Sequence, residues 1–558
     1  MRKWKKCALA AVLAALCALS TACGIIGGDE EQGPVDNVKV SDAYFGLAWY
    51  QNGTLNPVLD NTNINRVLCE ALYEGLFEVT SNFTAENVLC ESYEGDGTTF
   101  TFTLRGDVTF WSGEPLTAAD VVASLEAAHY NESSPFYNRL TEVSSIEAVG
   151  TNQVRIVLSS PNINFPRLLD IPIYREGSAD SGSFADGTGP YRPVEGENQW
   201  TLEANENWHG GFLGSIRHIT LVTMTRADTA LSSFQTGDVS LMRASRIDPN
   251  PPNVGGSVDT VQTASASLHY LGFNYNDPLL SSSGVRRALS AALSRQSLCE
   301  TQLQTFADPA VLPVNPQPAD SNLSLNMSAD PNGAAQLLRE ALQSDTGGSS
   351  EDEPSDTEDE YTDDEGDYTD DEYTGEGDGS GGESDSGETE SDGSSSPSGV
   401  GSEAETVLSI RLLVNSDNAF KVAAAQQIAA SWNALDGVSV TVDAQPYETF
   451  VSRLQSGDFD VYYGETQLTA DFDLRPLLSS GGSLNYGGYS GESMASAIAA
   501  MRSGDNVVGF YQTFLEEMPI VPIAFECDQI IIRKGLIDNY QPAPYNAFAG
   551  LETWTSPE

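Results

Sequence analysis

The clearest hydrophobic pattern in the chain begins at Phe100. Phe100, Phe102 and Leu104 alternate with polar residues, so this segment is expected to form a strand with one apolar face. A second short strand is predicted at residues 108–110, after a Gly-Asp pair. The pattern therefore predicts a β-hairpin at this point.

A helix is predicted directly after this hairpin. Thr117 and Asp120 follow a turn that contains Gly and Pro, and their T-x-x-D spacing is typical of a helix start. A Thr hydroxyl there can accept a free backbone N–H, and an acidic side chain near the first turn interacts favourably with the helix dipole. The helix should therefore be capped by these two side chains.

A second helix and strand flank a long segment of a different kind. Ala334, Leu337, Leu338 and Ala341 have helical spacing, and residues 410–414 form an apolar, strand-like run. Helix and strand patterns thus continue on both sides of an intervening segment, which predicts an insertion between two regular elements.

The intervening segment, residues 344–406, is strongly acidic. It contains 24 Asp or Glu residues and no Lys or Arg, and most of the remainder is Ser, Gly and Thr. Such a composition buries too little apolar area to offset the entropy of ordering. We therefore expect a disordered acidic insert, and the residues around its glycines do not match a calcium-binding EF-hand loop.

The net charge of the whole chain excludes one class of function. The 558 residues include 27 basic and 80 acidic side chains, a formal charge of -53. Nucleic-acid binding requires a basic face, so no nucleic-acid partner is expected. The charge favours solubility, or alternatively provides a negative field that attracts cationic solutes.

The first residues predict export and membrane anchoring. A basic start is followed by an apolar run at residues 8–19, and residues 20–23, Ser-Thr-Ala-Cys, resemble a lipobox. We predict a signal peptide at 1–22, lipidation of Cys23 and a flexible tether at 23–37, which would place the protein on the extracytoplasmic face of a bacterial membrane. The alternative is an ordinary cleaved signal peptide.

The sequence offers no recognisable catalytic or metal-binding motif. Cys69, Cys90, Cys299 and Cys527 lack a CxxC pairing; they could form up to two disulfides or remain as buried free thiols. The four His residues lack ligand spacing, and no GxSxG motif or P-loop is found. We expect no enzyme activity, no cofactor and no metal.

An ordered series of short motifs runs through most of the chain. The motifs are Leu55–Pro57, Leu72–Phe77, residues 100–125, Val154–Pro161, Gly187–Tyr191, Asn205–Trp208, Ser233–Asp238, Leu271–Asn274, Val285–Ala292, Arg453–Asp460 and Ile520–Pro522. No single motif is decisive, but their order over roughly 480 residues is specific. The series resembles family 5 of the bacterial extracellular solute-binding proteins, the receptors of peptide/nickel-type ABC importers.

The resemblance implies an α/β fold. The family fold is a two-lobe, periplasmic-binding-protein-like clamp (type II, cluster C) with an extra subdomain on lobe I, and here lobe II would carry the acidic insert. The implied limits are lobe I at 38–68, 187–268 and 525–558, its subdomain at 69–186, and lobe II at 269–524 with the insert at 344–406. The strands that cross between the lobes are expected near residues 269–275 and 519–525.

The resemblance also implies capture of a peptide or similar small solute between the lobes and its delivery to ABC permease subunits, by a monomer. In peptide-binding members an Asp pairs with the terminal ammonium of the ligand, and that position falls on Asp471. The other predicted ligand-binding residues are Trp49, Tyr50, Trp111, Asn274 and Tyr275.

Two alternatives remain open at this point. One is a receptor for nickel or another metal chelate within the same family. The other is a surface interaction or sensing protein that kept the clamp fold, because a disordered polyanion can engage cationic partners.

Overall fold

The computed structural model describes residues 44–50, 55–179, 183–226, 229–252, 254, 256–319, 323, 325–346, 408–538 and 540–557. The predicted signal peptide, the lipidation site Cys23, the tether and residues 347–406 of the predicted insert lie outside the described residues. Residues 344–346 of that insert are the end of a helix. None of the described helices is both long and apolar enough to cross a bilayer.

Strands dominate the first half of the described chain. They are β1 (Gly46–Tyr50), β2 (Phe77–Val79), β3 (Ala85–Asn87), β4 (Cys90–Gly95), β5 (Thr99–Leu104), β6 (Val143–Val149), β7 (Gln153–Leu158), β8 (Tyr191–Glu195), β9 (Trp200–Ala204), β10 (His218–Met224), β11 (Leu241–Ala244), β12 (Val258–Phe273), β13 (Ala307–Pro309), β14 (Leu408–Asn415), β15 (Val438–Gln445), β16 (Val461–Gln467) and β17 (Val521–Arg533).

Helices are concentrated in the second half. They are α1 (Asn63–Leu72), α2 (Ala118–His129), α3 (Ala230–Thr236), α4 (Pro278–Ser281), α5 (Ser283–Ala291), α6 (Arg295–Ser297), α7 (Pro331–Thr346), α8 (Ala419–Trp432), α9 (Tyr447–Ser456), α10 (Arg475–Leu478), α11 (Glu492–Ser503) and α12 (Val507–Glu517), with short 3₁₀ or π turns at Tyr137–Arg139, Phe165–Leu168, Leu298–Gln302 and Leu551–Thr553.

Two long antiparallel strands, β12 and β17, join the two halves of the molecule. They pair from Val258 with Arg533 to Leu271 with Val521, with bulges near Ala264 and His269. Their sheet has the order β11-β17-β12-β16-β14-β15, and β13 pairs with β17. Strand β17 is buried along nearly its whole length, which suits an apolar, β-branched sequence covered on both faces.

Smaller sheets build the first half. One has the order β1-β10-β9-β8 and another β4-β5-β7-β6, and β2 pairs with β3. The described residues pack into two large hydrophobic cores. One core combines residues from 45 to 221 and Leu241 with the C-terminal residues 530–554, and the other combines residues 247–525 with Val79 and Phe83.

The predicted strand at residue 100 and the predicted helix after it are confirmed, but the predicted hairpin is wrong. Phe100, Phe102 and Leu104 are buried in β5, which pairs with β4 and β7 rather than with residues 108–110. That second segment makes a single β-bridge, Thr109 with Pro115. A local turn signal was thus outweighed by pairing with strands distant in the sequence.

The start of α2 is capped as the T-x-x-D spacing predicts. The Asp120 carboxylate accepts hydrogen bonds from the Thr117 backbone N–H (2.9 Å) and hydroxyl (2.6 Å). The elements that flank the acidic segment are also confirmed, as α7 and β14. Cys69, Cys90, Cys299 and Cys527 are free thiols, which decides between the two states left open by the sequence.

Candidate functional site

A cavity of about 670 Å³, here called the cleft cavity, lies between the two cores. The first core contributes β1, α1, β11 and the turn near Arg139, while the second contributes the end of β16 and the residues that follow it. The crossing strand β17 supplies Asp528, and the C-terminal segment supplies Tyr545. Both halves of the molecule therefore enclose one space.

The lining of the cleft cavity carries charges of both signs. The cationic members are Arg66, Arg139 and Arg243, and the anionic members are Asp248 and Asp528. Burial raises the pKa of Asp528, and the nearby guanidinium groups of Arg243 and Arg66 oppose that shift. A site of this kind can bind a solute that has both a cationic and an anionic group.

Arg243 is fixed by a buried carboxylate from α1. Its two Nη atoms lie 2.9 and 3.3 Å from the oxygens of Glu70, which also accepts a 2.7 Å hydrogen bond from the Ala547 backbone N–H. Burial opposes the charge on Arg243, but Glu70, Asp528 and Tyr540 together outweigh it and raise the pKa of the guanidinium. Arg243 is thus held rigidly, as a positioned side chain in a binding site must be.

A smaller cavity of about 290 Å³ adjoins this space and shares Arg66, Arg139 and Tyr545 with it. Within it, Glu74 accepts hydrogen bonds at 3.0 Å from the Trp208 indole and lies 3.0 Å from His209 Nε2. Glu74 thus pairs the indole and His209 Nε2, whereas His209 Nδ1 is buried without a hydrogen-bond partner among the described residues.

The structure places Asp471 in a cluster between the two halves rather than on the cleft cavity. Asp471 is buried, accepts a 2.8 Å hydrogen bond from the Asn162 amide, and lies 3.5 Å from Arg502 Nη1. Burial raises the pKa of the Asp471 carboxyl above its ordinary value, although the hydrogen bond from Thr469 opposes this. Asp471 thus has protein partners, and a ligand role for it stays a prediction.

Arg502 is the centre of this interlobe cluster, which consists of Glu142, Asp471, Asp473, Arg475 and Arg502. Glu142 forms ion pairs with both Arg475 and Arg502, and Asp473 lies 2.6 Å from Arg475 and 3.7 Å from Arg502. Glu142 belongs to the first half of the molecule and the other members to the second. The cluster therefore ties the two halves together beside the cleft cavity.

Three aromatic residues make a second tie between the halves. Phe83 packs against Phe472 and Tyr545, with ring centroids 4.9 and 6.3 Å away. All three have left-handed backbone conformations, with φ of 55°, 55° and 61°. Such strain in non-glycine residues persists only where the surroundings impose it, and it clusters at functional sites.

The predicted aromatic contacts lie in the packed interior of the first half. Trp49 is buried against Phe184 and Trp200, and Trp111 packs on Tyr73 with its Nε1 3.4 Å from the Gly189 carbonyl. The backbone of Tyr50 exchanges hydrogen bonds with the Asn65 side chain.

The two remaining predicted residues lie in the second half. Asn274 donates to the carbonyls of Gly457 and Phe459, and the Tyr275 hydroxyl donates to Pro519. None of the predicted site residues is among the described residues that line either cavity. Their roles in ligand binding stay predictions.

No sequence pattern predicts the residues that line the cleft cavity. Arg66 and Arg243 stand in no recognisable motif. The one indication in the sequence is that basic residues are scarce, 27 among 558. The structure places two of these few, Arg66 and Arg243, in a charged interior cavity. Cations in such a position are costly unless they are paired or used.

Comparison with known proteins identifies the family. The family model described as "Bacterial extracellular solute-binding proteins, family 5 Middle" matches residues 84–485. The glutathione-binding protein GsiB of Salmonella choleraesuis is 28% identical over 308 residues, which is 52% of this chain and 59% of that relative. The chain thus spans less than two thirds of this relative.

Solved structures of low sequence identity share the fold. The ABC transporter substrate-binding protein CtaP from Listeria monocytogenes is 17% identical with a TM-score of 0.65, over 92% of this chain and 99% of that chain. NikA from Brucella suis, in complex with Fe(III)-EDTA, is 18% identical with a TM-score of 0.62, over 92% and 100%. These likenesses confirm the predicted α/β fold of two lobes. The half of the molecule that holds the first core is called the first lobe here, and the other half the second lobe.

The matched segment covers well over half of the chain and includes motifs from both lobes. The protein therefore belongs to family 5 of the bacterial extracellular solute-binding proteins, as the order of its motifs predicted.

Proposed function

We propose that this protein is the solute-binding component of an ABC importer, and that it captures a peptide or a similar small dipolar solute in the cleft cavity. The observation that carries the proposal is the mixed charge of the lining, with Arg66 and Arg243 beside Asp248 and Asp528. A peptide has an ammonium and a carboxylate, and each needs a partner of opposite charge when it loses its water.

The architecture supports capture by closure. The two lobes are joined by β12 and β17, and hinged lobes of this kind close over a ligand and exclude water from it. The interlobe cluster and the contact of Phe83 with Phe472 favour the closed arrangement. The solute would then be released to permease subunits on opening.

The names of the relatives support the same class of solute. GsiB is named for glutathione, a tripeptide with one ammonium and two carboxylates, and CtaP is named as a substrate-binding protein of an ABC transporter. The arginine-rich lining also suits an anionic metal chelate, and NikA was solved with such a complex. A chelate receptor is therefore the second candidate.

Thermal unfolding with a panel of solutes is expected to separate these candidates. A solute that binds only the folded protein stabilises it by RT ln(1 + [L]/Kd), about 2.7 kcal/mol at 100 times Kd. We expect glutathione or di- to hexapeptides with free ends to raise the midpoint, and the same peptides with acetylated and amidated ends to have no effect.

Two other outcomes would contradict the peptide proposal. Equal stabilisation by free and blocked peptides would contradict recognition of the terminal charges. Stabilisation by a nickel–histidine or Fe(III)-EDTA complex, without any effect of peptides, would establish the chelate receptor instead.

We also propose that the mature protein is held on the membrane by a lipid on Cys23. The Ser-Thr-Ala-Cys sequence after an apolar run supports this proposal. Cys23→Ala, expressed in a bacterial host, is expected to move the protein from the detergent phase of a Triton X-114 partition to the aqueous phase. Cys69→Ala is the matched control, and the same partitioning for both variants would rule out the anchor.

A further inference from the structure

Three side chains that can bind a metal ion come together on the sheet that contains β12, β16 and β17. None of the three is among the residues that line the cleft cavity. His269 on β12 is directly opposite Glu465 on β16 and Ala524 on β17. Glu526 lies two residues along β17 from Ala524, so it is on the same face of the sheet. His269, Glu465 and Glu526 are called the hinge cluster here because β12 and β17 are the strands that join the lobes.

The distances within the hinge cluster match a shared ion. His269 Nε2 lies 3.6 Å from a Glu526 oxygen and 3.8 Å from a Glu465 oxygen, and all three ligand atoms lie within 4.8 Å of one another. Two ligands bound tetrahedrally to Zn²⁺ at about 2.1 Å are separated by about 3.4 Å. Both distances from His269 Nε2 are within a few tenths of an ångström of that separation, and a bound ion would draw the two glutamate oxygens, which lie within 4.8 Å of each other, closer together.

His269 is fixed with one nitrogen unused. Its side chain is fully buried, and its Nδ1 lies 3.1 Å from the Tyr463 hydroxyl. Its Nε2 points at the two carboxylates and has no hydrogen-bond partner. A metal-binding His is oriented in this way, with the second nitrogen held by a neighbouring group, whereas an unpartnered buried nitrogen is otherwise unfavourable.

The surroundings favour a cation. Ser245 donates to Glu526 and so orients that carboxylate, whereas Lys421 forms an ion pair with Glu465 and would compete with a bound ion for it. Asp248 lies close enough that, besides burial, the negative charges of Glu526 and Glu465 raise its pKa. Three carboxylates therefore stand against the single ammonium of Lys421 in this region.

We propose that His269, Glu465 and Glu526 bind a divalent transition-metal ion of the Zn²⁺, Co²⁺ and Ni²⁺ class. One imidazole and two carboxylates form the nitrogen–oxygen ligand set that these ions accept, whereas Ca²⁺ requires six to eight oxygen ligands. Glu465 is the partly exposed ligand and provides the entry side. The bound ion would fasten β12, β16 and β17 together beneath the cleft cavity.

Titration of the purified, chelator-treated chain with Co²⁺ tests the site, because the visible spectrum of Co²⁺ reports nitrogen ligation and tetrahedral geometry. We expect one Co²⁺ with such a spectrum, displaced by Zn²⁺. Glu526→Gln and His269→Asn should weaken its binding at least tenfold. If the variants at the two buried ligands fold poorly, Glu465→Gln, at the most exposed ligand, tests the site in their place. Lys421→Met should tighten binding, because the ammonium no longer competes for Glu465.

His218→Asn is the matched control, since His218 is an exposed His on β10 and should leave Co²⁺ binding unchanged. The acidic stretch at 344–406 attracts cations through carboxylates alone, and it is the same in every variant. Equal Co²⁺ binding in the wild type and in the three ligand variants would overturn the proposal. It would also be overturned if the wild type bound no Co²⁺, or if Lys421→Met bound Co²⁺ more weakly than the wild type. The test does not depend on which solute the cleft takes.

Discussion

Replacement of Arg502 by Met is expected to lower the free energy of unfolding by about 3–5 kcal/mol, the cost of removing one partner from a buried ion pair. The side chain of Arg502 is only 5% exposed, and it faces Glu142, Asp471 and Asp473. Without it these carboxylates would remain buried with less compensating charge. Urea denaturation of both proteins measures the difference.

Arg411→Met is the matched control for this experiment. Arg411 also faces two carboxylates, at 3.1 and 3.5 Å, but its side chain is 45% exposed, so its loss should cost less than about 1 kcal/mol. If both variants lose the same stability, the interlobe cluster contributes no more than a surface pair.

Glu142→Gln separates folding from closure. Glu142 supplies the first lobe's charge to the interlobe cluster, while Arg475 and Arg502 keep Asp473 and Asp471 as partners. We therefore expect a smaller stability loss but a larger radius of gyration in solution scattering. An unchanged scattering curve would show that this cluster does not hold the lobes together.

Replacement of Arg243 by Met is expected to have two effects. It leaves Glu70 buried without its main partner, which should lower the free energy of unfolding by about 3 kcal/mol. It also removes a positioned cation from the cleft cavity. A charge-assisted hydrogen bond to a solute carboxylate contributes about 1.5–3 kcal/mol, so affinity should fall about 10- to 150-fold.

The double variant Glu70→Gln with Arg243→Met distinguishes the two effects. Gln has no charge to leave unpaired, so the double variant should recover most of the stability but not the solute affinity. Arg192→Met is the control, because Arg192 pairs with Glu203 on the surface of the same lobe. Recovery of affinity in the double variant would show that Arg243 acts only through the fold.

Several local elements were predictable because their causes are local. The alternation from Phe100 to Leu104 and the Thr117–Asp120 cap act over a few residues, and both occur as predicted. The hairpin after residue 104 failed for the opposite reason. The pairing partners of β5 lie in β4 and β7, and their packing outweighs a nearby turn.

The candidate site was less predictable than the fold. Motif positions point to Asp471 and the aromatic residues, but the structure surrounds them with protein partners. The charged lining arises from pairs such as Arg243 and Glu70, which are 173 residues apart, and no sequence pattern connects them.

The sequence by itself determined the family, the α/β composition and the elements that flank the acidic stretch, because motif order and short-range periodicity depend only on the order of residues along the chain. The tertiary structure alone decided which charges meet. Glu142 reaches Arg502 across 360 residues, and His269 meets Glu465 and Glu526 only where three strands align. Ionic partners in a buried cleft are chosen by folding geometry, since burial makes each unpaired charge costly wherever its partner lies in the sequence.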